Sequence, residues 1–244
     1  MREALYRQLS ACLESRQLAA LATVVEGPGV GNQLLIWPGG QTLGDLGAPR
    51  LNQRAAIYGE QVIPVFGTGR KSFRVDNEVA DVFFEVLVPP PKLVVVGAVH
   101  VAIALVELAR LLGFVTIVID PRGVFATEGR FSQADQLIKA WPDEALDEVG
   151  LDESTYLVLL SHDLKIDLPA LRKSLRSSAR YIGALGSKKT HEKRVVALRE
   201  EGFSDEELAR IHAPIGLDLG GRRAEEIALA IIAQIVAVRH GSSG

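Results

Sequence analysis

An α/β fold is what this sequence predicts: a C-terminal parallel sheet with helices on both faces, preceded by a smaller, mainly β N-terminal domain. Three observations predict it. Residues 92–120 run from the apolar stretch Lys92-Leu-Val-Val-Val96 through Gly97-Ala98-Val99-His100 into an amphipathic segment, then into a second apolar run that stops on Asp120. That order is a β-α-β nucleotide-binding unit. Further apolar runs, Tyr156–Leu160 and Arg180–Ile182, alternate with helical stretches, as strands of a parallel sheet do. Finally, Pro89-Pro90-Pro91 forms a stiff extended break between two textures. The C-terminal half is therefore expected to be Rossmann-like.

In the first half, residues 4–18 read as a short amphipathic helix. Leu18–Val25 reads as a strand closed by Gly27-Pro28-Gly29, and Gln33–Trp37 as a second strand. Pro38-Gly39-Gly40 turns the chain toward a third at Gln41–Gly44. Strands at Val62–Phe66 and Val82–Val88 complete a small antiparallel sheet. The expected organisation is a domain over 1–88, a proline linker over 89–91, a second domain over 92–240 and a flexible tail over 241–244.

In the second half, strands are expected at Leu93–Val96, Val115–Ile119, Tyr156–Leu160 and Arg180–Ile182. Helices are expected at 100–112, 133–140, 167–177, 188–201, 204–211 and 223–239. Val101, Ala104, Leu105, Leu108, Leu111 and Leu112 fall on one face of the first helix at helical spacing. Ser204 with Glu207 makes a capping box. Ile227, Ile231, Ile235 and Val238 give the last helix a buried stripe.

Composition narrows the function classes. The 244 residues carry a net charge of −3 with no long block of either sign, which speaks against a general nucleic-acid binder. The single cysteine, Cys12, excludes an intramolecular disulfide and a cysteine-rich metal site. It reads as a packed helix residue. The stretch Met1–Arg16 is charged throughout and does not read as a secretory signal. No apolar run approaches the ~20 residues of a membrane span. A reduced, cytoplasmic setting is expected.

In a doubly wound sheet, ligands bind beyond the carboxyl ends of the strands, so four loops should converge. The first, Gly97-Ala98-Val99-His100, is an imperfect dinucleotide fingerprint, with Val99 where a glycine would let the backbone approach a pyrophosphate. Its helix N-terminus still offers free N–H groups to an anion, and His100 is either a ligand donor or a satisfied polar residue. The second loop, Asp120-Pro121-Arg122, places an acid about 20 residues after Gly97, the spacing of a ribose-binding carboxylate. The alternative is a strand-end aspartate that caps the Pro121 turn. Arg122 either contacts a phosphate or is solvated.

The third loop, Ser161-His162-Asp163, holds triad residue types, but adjacent side chains diverge, so it is no catalytic triad. His162 is a candidate acid/base or ligand-orienting donor, and Asp163 more simply opens the next loop. In the fourth, Gly183-Ala-Leu-Gly186-Ser187-Lys188-Lys189, glycines, a serine and two lysines precede a helix, an arrangement suited to an anion. The alternative is a loop with a solvated basic turn. His191-Glu192 lacks the second histidine of a zinc-protease motif. Pro214–Gly221 is a further glycine-rich loop, read mainly as packing.

Assembled, these segments resemble the xanthine dehydrogenase accessory protein (XdhC/CoxI) family. The resemblance lies in Gly97–Ala102, Leu112-Gly113-Phe114 through Asp120, Phe125-Ala126-Thr127 with Arg130-Phe131, Ser161-His162-Asp163, Tyr181–Ser187, Pro214–Asp218 and Glu226-Ile227-Ala228. It implies a non-catalytic role in molybdenum cofactor maturation: binding molybdopterin at the four loops and delivering it to a molybdenum hydroxylase such as xanthine or carbon monoxide dehydrogenase. A cysteine desulfurase is expected as a second partner, and the apolar C-terminal helix and exposed-looking N-domain strands suggest a homodimer. Two departures stand out. Val99 replaces a glycine, and Gly47-Ala48-Pro49-Arg50-Leu51 stands where the family often carries a Gly-Gly-Cys motif. Two other functions use the same crevice: an NAD(P)-dependent oxidoreductase and a non-catalytic nucleotide sensor.

Overall fold

A computed structural model describes residues 2–15, 17–64, 67–75, 78–87 and 90–241. Pro89 of the expected linker and residues 242–244 of the expected tail lie outside the described residues. Two compact units divide the chain, Met1–Pro89 and Pro90–Gly244.

The first unit contains α1 (Arg2–Glu14), β1 (Ala19–Glu26), β2 (Gln33–Ile36), β3 (Thr42–Asp45), α2 (Pro49–Val62), β4 (Gly69–Val75) and β5 (Glu78–Leu87). Its strands form one antiparallel sheet ordered β3-β2-β1-β5-β4. Successive residues of a strand point to opposite faces. Ala20, Ala22 and Val24 of β1 therefore share a core with Leu51 and Ala55 of α2, while Ala19 and Leu21 meet Leu5 and Cys12 of α1. Cys12 is a packed helix residue whose thiol donates to Gln17 Oε1 at 3.7 Å.

The strand expected at 62–66 does not form among its described residues, because Val62 ends α2; residues 65 and 66 lie outside the described set, as does Val88 of the expected strand 82–88. Pro49 presets the first helical φ. Leu51, Ala55 and Gly59 recur every fourth residue to make the buried face of α2. Gly59 lets the helix lie close to the sheet: a Cβ there would meet Ile36 Cδ1 at 2.5 Å.

The second unit runs β6 (Lys92–Val96), α3 (His100–Leu111), β7 (Val115–Ile119), β8 (Gln136–Ile138), α4 (Pro142–Val149), β9 (Thr155–Leu159), α5 (Leu164–Leu175), β10 (Tyr181–Ala184), α6 (Lys188–Glu200), α7 (Asp205–Leu208), β11 (Ile211–His212) and α8 (Ala224–Arg239). Its six strands are all parallel, ordered β11-β10-β9-β6-β7-β8. Leu93 and Val95 face α3 and α8, with Leu105, Ile231 and Ile235, whereas Val94 and Val96 face Ile166 and Leu171 of α5 and Leu198 of α6. Each such side chain contributes roughly 1.5–3 kcal/mol by leaving water. The capping box of Ser204 and Glu207 is formed.

A helix over 133–140 is not formed. The chain there makes β8 instead, which pairs Ile138 with Ile119 at the edge of the sheet. Asp135 anchors this edge, its Oδ2 accepting from both the backbone N–H and the hydroxyl of Thr116 at 2.8 Å. Tertiary pairing thus overrides a weak local preference. Among the described residues, no helix is long and apolar enough to cross a membrane.

Candidate functional site

In sequence rank the parallel strands follow the order 3-2-1-4-5-6, which reverses between β6 and β9. Ligand crevices of open α/β sheets lie at such a reversal. The two loops meet there closely. Gly97 follows β6 with φ +109°, and a Cβ on it would stand 2.8 Å from the backbone nitrogen of Ser161, just past β9. Glycine is required both for the angle and for the space.

The loop after β7 braces the one after β6. Asp120 is fully buried. Its Oδ1 accepts from the Arg122 N–H and Arg122 Nε, each at 2.9 Å, and its Oδ2 accepts from the Ala98 N–H and Arg122 Nη2, each at 2.8 Å. Burial pushes the Asp120 carboxyl up, but the Arg122 side chain and the two backbone N–H groups outweigh it, and the net direction is down. All four acceptor positions of the carboxylate are engaged. The geometry is that of the strand-end brace rather than a free ribose-binding acid. Arg122 lies over the Phe125 ring at 4.7 Å and feels the charge of Asp163.

Ser161, His162 and Asp163 part company. Ser161 is buried and donates its hydroxyl to Asp167 Oδ1 at 2.6 Å. Asp163 caps α5, accepting from the Lys165 N–H at 2.9 Å. His162 is exposed, within electrostatic reach of Asp167. No Ser-His-Asp relay forms.

Behind Ser161 lies a pair that the sequence reading missed. Asp167 and Arg194 are both fully buried. Arg194 Nε and Nη2 donate to Asp167 Oδ2 at 2.9 and 2.5 Å, and Nη2 donates to the Leu185 carbonyl at 2.8 Å. Burial raises the Asp167 carboxyl against the pull of Ser161, Arg194 and His162. A chain of bonds therefore joins the loop after β9 to the loop after β10. The available signal was Arg194 standing four residues before the buried Leu198, a charge on the core-facing stripe of α6.

Gly183 is not in the fourth loop. It sits inside β10, where a Cβ would meet Ile215 Cδ1 at 2.5 Å and Tyr181 Cε1 at 2.7 Å, so it is a packing glycine. Gly186 (φ +142°) leads to Ser187, which caps α6 by accepting from the Thr190 N–H. Lys188 and Lys189 are exposed in the first turn. Arg194 Nη1 and His191 Nδ1 are buried without partners among the described residues. Burial, and then Arg194, push His191 toward its neutral form.

Gly97, Ala98, Asp120, Arg122, Ser161 and Asp163 thus gather at the sheet reversal, and Asp167 and Arg194 tie them to the loop containing Gly186. His100 is exposed and opens α3, whose N-cap, Val99, makes no side-chain capping bond. First turns without acids at α3 and α6 present partial positive charge to a ligand. His212 stacks on Tyr181 at 4.6 Å and is pushed toward neutrality by burial. Among the described residues, no group of three or more His, Cys, Asp or Glu could hold a metal ion. In the first unit, Gly47 and Ala48 border a cavity of about 280 Å³ beside Pro28, Leu51 and Glu78.

The XdhC Rossmann domain matches residues 93–235. A protein of Bacillus subtilis (strain 168) described as a probable xanthine dehydrogenase subunit is 29% identical over 163 residues, taking in 67% of this chain and 47% of that protein. The molybdenum cofactor insertion chaperone PaoD of Escherichia coli (strain K12) is 40% identical over 89 residues, 36% of this chain and 28% of PaoD. The chain spans less than half the length of these curated relatives. A solved structure described as a xanthine dehydrogenase from Bacillus halodurans aligns with a TM-score of 0.71 and 22% identity over 96% of this chain and 66% of that one, and so shares the fold. With the domain match taking in more than half of its length, the chain belongs to the XdhC family, whose Rossmann domain it carries.

Proposed function

We propose that this chain binds the molybdenum cofactor at the carboxyl edge of its parallel sheet and hands it to a molybdenum hydroxylase of the xanthine dehydrogenase kind. The observation that carries the reading is the reversal of strand order between β6 and β9, the place where open α/β sheets take their ligands. The buried polar side chains there, Asp120, Ser161, Asp167 and Arg194, are committed to holding the loops, while two helix entrances offer backbone N–H donors and the exposed His100, His162 and Lys188. Molybdopterin is a polar pterin bearing a phosphate, and such an anion suits these entrances. Binding and release need donors and shielding rather than an assembled nucleophile. The 40% identity to a protein named as a molybdenum cofactor insertion chaperone supports the same reading.

In this proposal Gly97, Ala98 and His100 meet the ligand at α3, and Gly186, Ser187 and Lys188 meet it at α6. Asp120, Arg122, Ser161 and Asp163 position the loops, and exposed His162 faces the ligand. A homodimeric state, a cysteine desulfurase partner, a cytoplasmic setting and a linker at 89–91 between independent domains belong to the same proposal. NAD(P) as the natural ligand is disfavoured by the four bonds that Asp120 already accepts.

The test is transfer. The full chain, loaded anaerobically with cofactor, is mixed with a cofactor-free xanthine dehydrogenase-type enzyme. Recovery of hydroxylase activity beyond that given by free cofactor supports the proposal. Recovery equal to free cofactor contradicts it.

A further inference from the structure

Ser161, Asp167 and Arg194 form one run of hydrogen bonds beneath the carboxyl edge of the sheet. Ser161 Oγ accepts from the Asp163 N–H at 3.2 Å and donates to Asp167 Oδ1 at 2.6 Å. Arg194 Nε and Nη2 donate to Asp167 Oδ2, and Nη2 donates again to the Leu185 carbonyl at 2.8 Å. All three side chains are buried, Asp167 and Arg194 completely. The run starts in the loop after β9 and ends in the loop after β10, on neighbouring parallel strands. Gly97 extends it toward β6, because its missing Cβ lets it lie against the Ser161 backbone nitrogen.

An exposed side chain stands near each end. His162 lies between Ser161 and Asp163, so the bond from the Asp163 N–H to Ser161 Oγ closes a turn around it. Ser187 follows Leu185 by two residues and caps α6. In a dry interior each bond of such a run polarises the next. Moving either loop alone would pull an end of the run away from a buried ion pair, and a buried charge deprived of partners is strongly unfavourable. A plain structural ion pair would need neither the Ser161 hydroxyl nor the Leu185 carbonyl. Here both bonds reach past the pair to loop residues.

We propose that Asp167 is a positioning residue for the ligand site. Through Ser161 on one side and Arg194 on the other, it makes the loops after β9 and β10 a single unit that holds His162 and Ser187 in fixed relation. A ligand that spans the two loops then meets groups already in place and loses less free energy to ordering them. That this ligand is the molybdenum cofactor rests on the proposed function; the coupling of the two loops does not.

Amide hydrogen exchange in the full chain, read by NMR, tests the coupling. The Asp163 and Lys165 N–H groups, bonded to Ser161 Oγ and Asp163 Oδ1, report on the first loop. The Leu185 and Thr190 N–H groups, bonded to the Leu159 carbonyl and to Ser187, report on the second. Ser161→Ala cuts the run at the end far from Leu185 and keeps the ion pair. It should speed exchange at Leu185 and Thr190 about tenfold, the effect of losing one charge-assisted bond, with Val94–Val96 unchanged. Arg194→Lys keeps a cation opposite Asp167 but loses the planar fork that also serves Leu185. It should speed exchange at Asp163 and Lys165 in return. Faster exchange confined to one side of Asp167, or spread equally into Val94–Val96, overturns the proposal. A second arm measures anaerobic retention of purified molybdenum cofactor. Ser161 is buried, so Ser161→Ala removes no group that faces a ligand, yet retention about tenfold weaker is expected. Unchanged retention with loosened loops overturns the positioning role and leaves the carrier reading standing. No retention by the wild type sinks the carrier reading, and exchange still decides the coupling.

Discussion

Asp120 holds Arg122 in a two-pronged ion pair, with Nε at 2.9 Å on one carboxylate oxygen and Nη2 at 2.8 Å on the other, while the second oxygen also takes the Ala98 N–H. One buried side chain thus fixes the loops after β6 and β7 against each other. Asp120→Ala is expected to leave the Ala98 N–H and the guanidinium without their acceptor, at a cost of about 1–3 kcal/mol. Urea unfolding of the full chain checks this. An unchanged midpoint would show that the brace contributes nothing to the fold.

Acid should weaken the second unit. Asp120, Asp135 and Asp152 all have carboxyl groups held below the ordinary value of 3.8. For Asp120 and Asp152 burial opposes the hydrogen bonds and is outweighed; for Asp135 the Thr116 N–H leads. A depressed folded-state value means that the unfolded chain binds protons first as the pH falls. The stabilisation is therefore complete well above pH 3.8 and is lost progressively below it, through the depressed values. Urea midpoints should start to decline below about pH 6.5, where the unfolded chain protonates the His191 and His212 that the fold holds toward neutrality, and decline further below about 4. A midpoint that rises on acidification contradicts this sign.

Asp167→Ala is expected to be the more damaging change, because it strands a buried guanidinium. Breaking a buried pair from one side costs roughly 3–5 kcal/mol. Removing both charges, as Asp167→Ala/Arg194→Leu, should cost less than the sum of the single changes, and a double-mutant cycle in urea measures the difference. Additive losses would mean that the two side chains do not interact.

Two glycines should respond differently to alanine. Gly183→Ala drives a Cβ into Ile215 and Tyr181 inside the core, at about 1–3 kcal/mol, and its effect on ligand binding should follow stability alone. Gly97→Ala forces a strained φ and pushes the loop after β6 away from Ser161. It should reduce ligand affinity in protein that remains folded, as judged by circular dichroism beside a binding titration. Normal affinity in folded Gly97→Ala would remove the contact of these two loops from the binding account.

The legible parts of the fold were those where apolar runs are long. Val94, Val96, Ile117 and Ile119 are buried inside the sheet, so β6 and β7 read as continuous β-branched stretches. β4 was not legible, because Arg70, Lys71 and Arg74 lie on an exposed edge and only Phe73 is buried. α2 was hidden by its small buried face of Leu51, Ala55 and Gly59. At the site, the positions of the loops followed from the parallel order, but the bonds did not. Asp120 carries the sequence spacing of a ribose acid, and only the return of Arg122 over it reveals a brace. The pairing of Asp167 with Arg194 needs α5 and α6 docked side by side, which no local pattern encodes. Gly183 reads as part of a glycine-rich loop until β10 claims it.

On the proposed function, the carboxyl edge of the parallel sheet takes the molybdenum cofactor rather than a dinucleotide. Anaerobic binding of purified cofactor to the full chain, with NAD(H) and NADP(H) as competitors, tests it most directly; retained cofactor is measured by fluorescence after oxidation. Stoichiometric retention that dinucleotides do not displace is expected. Binding of dinucleotide alone, with no cofactor retained, would contradict it.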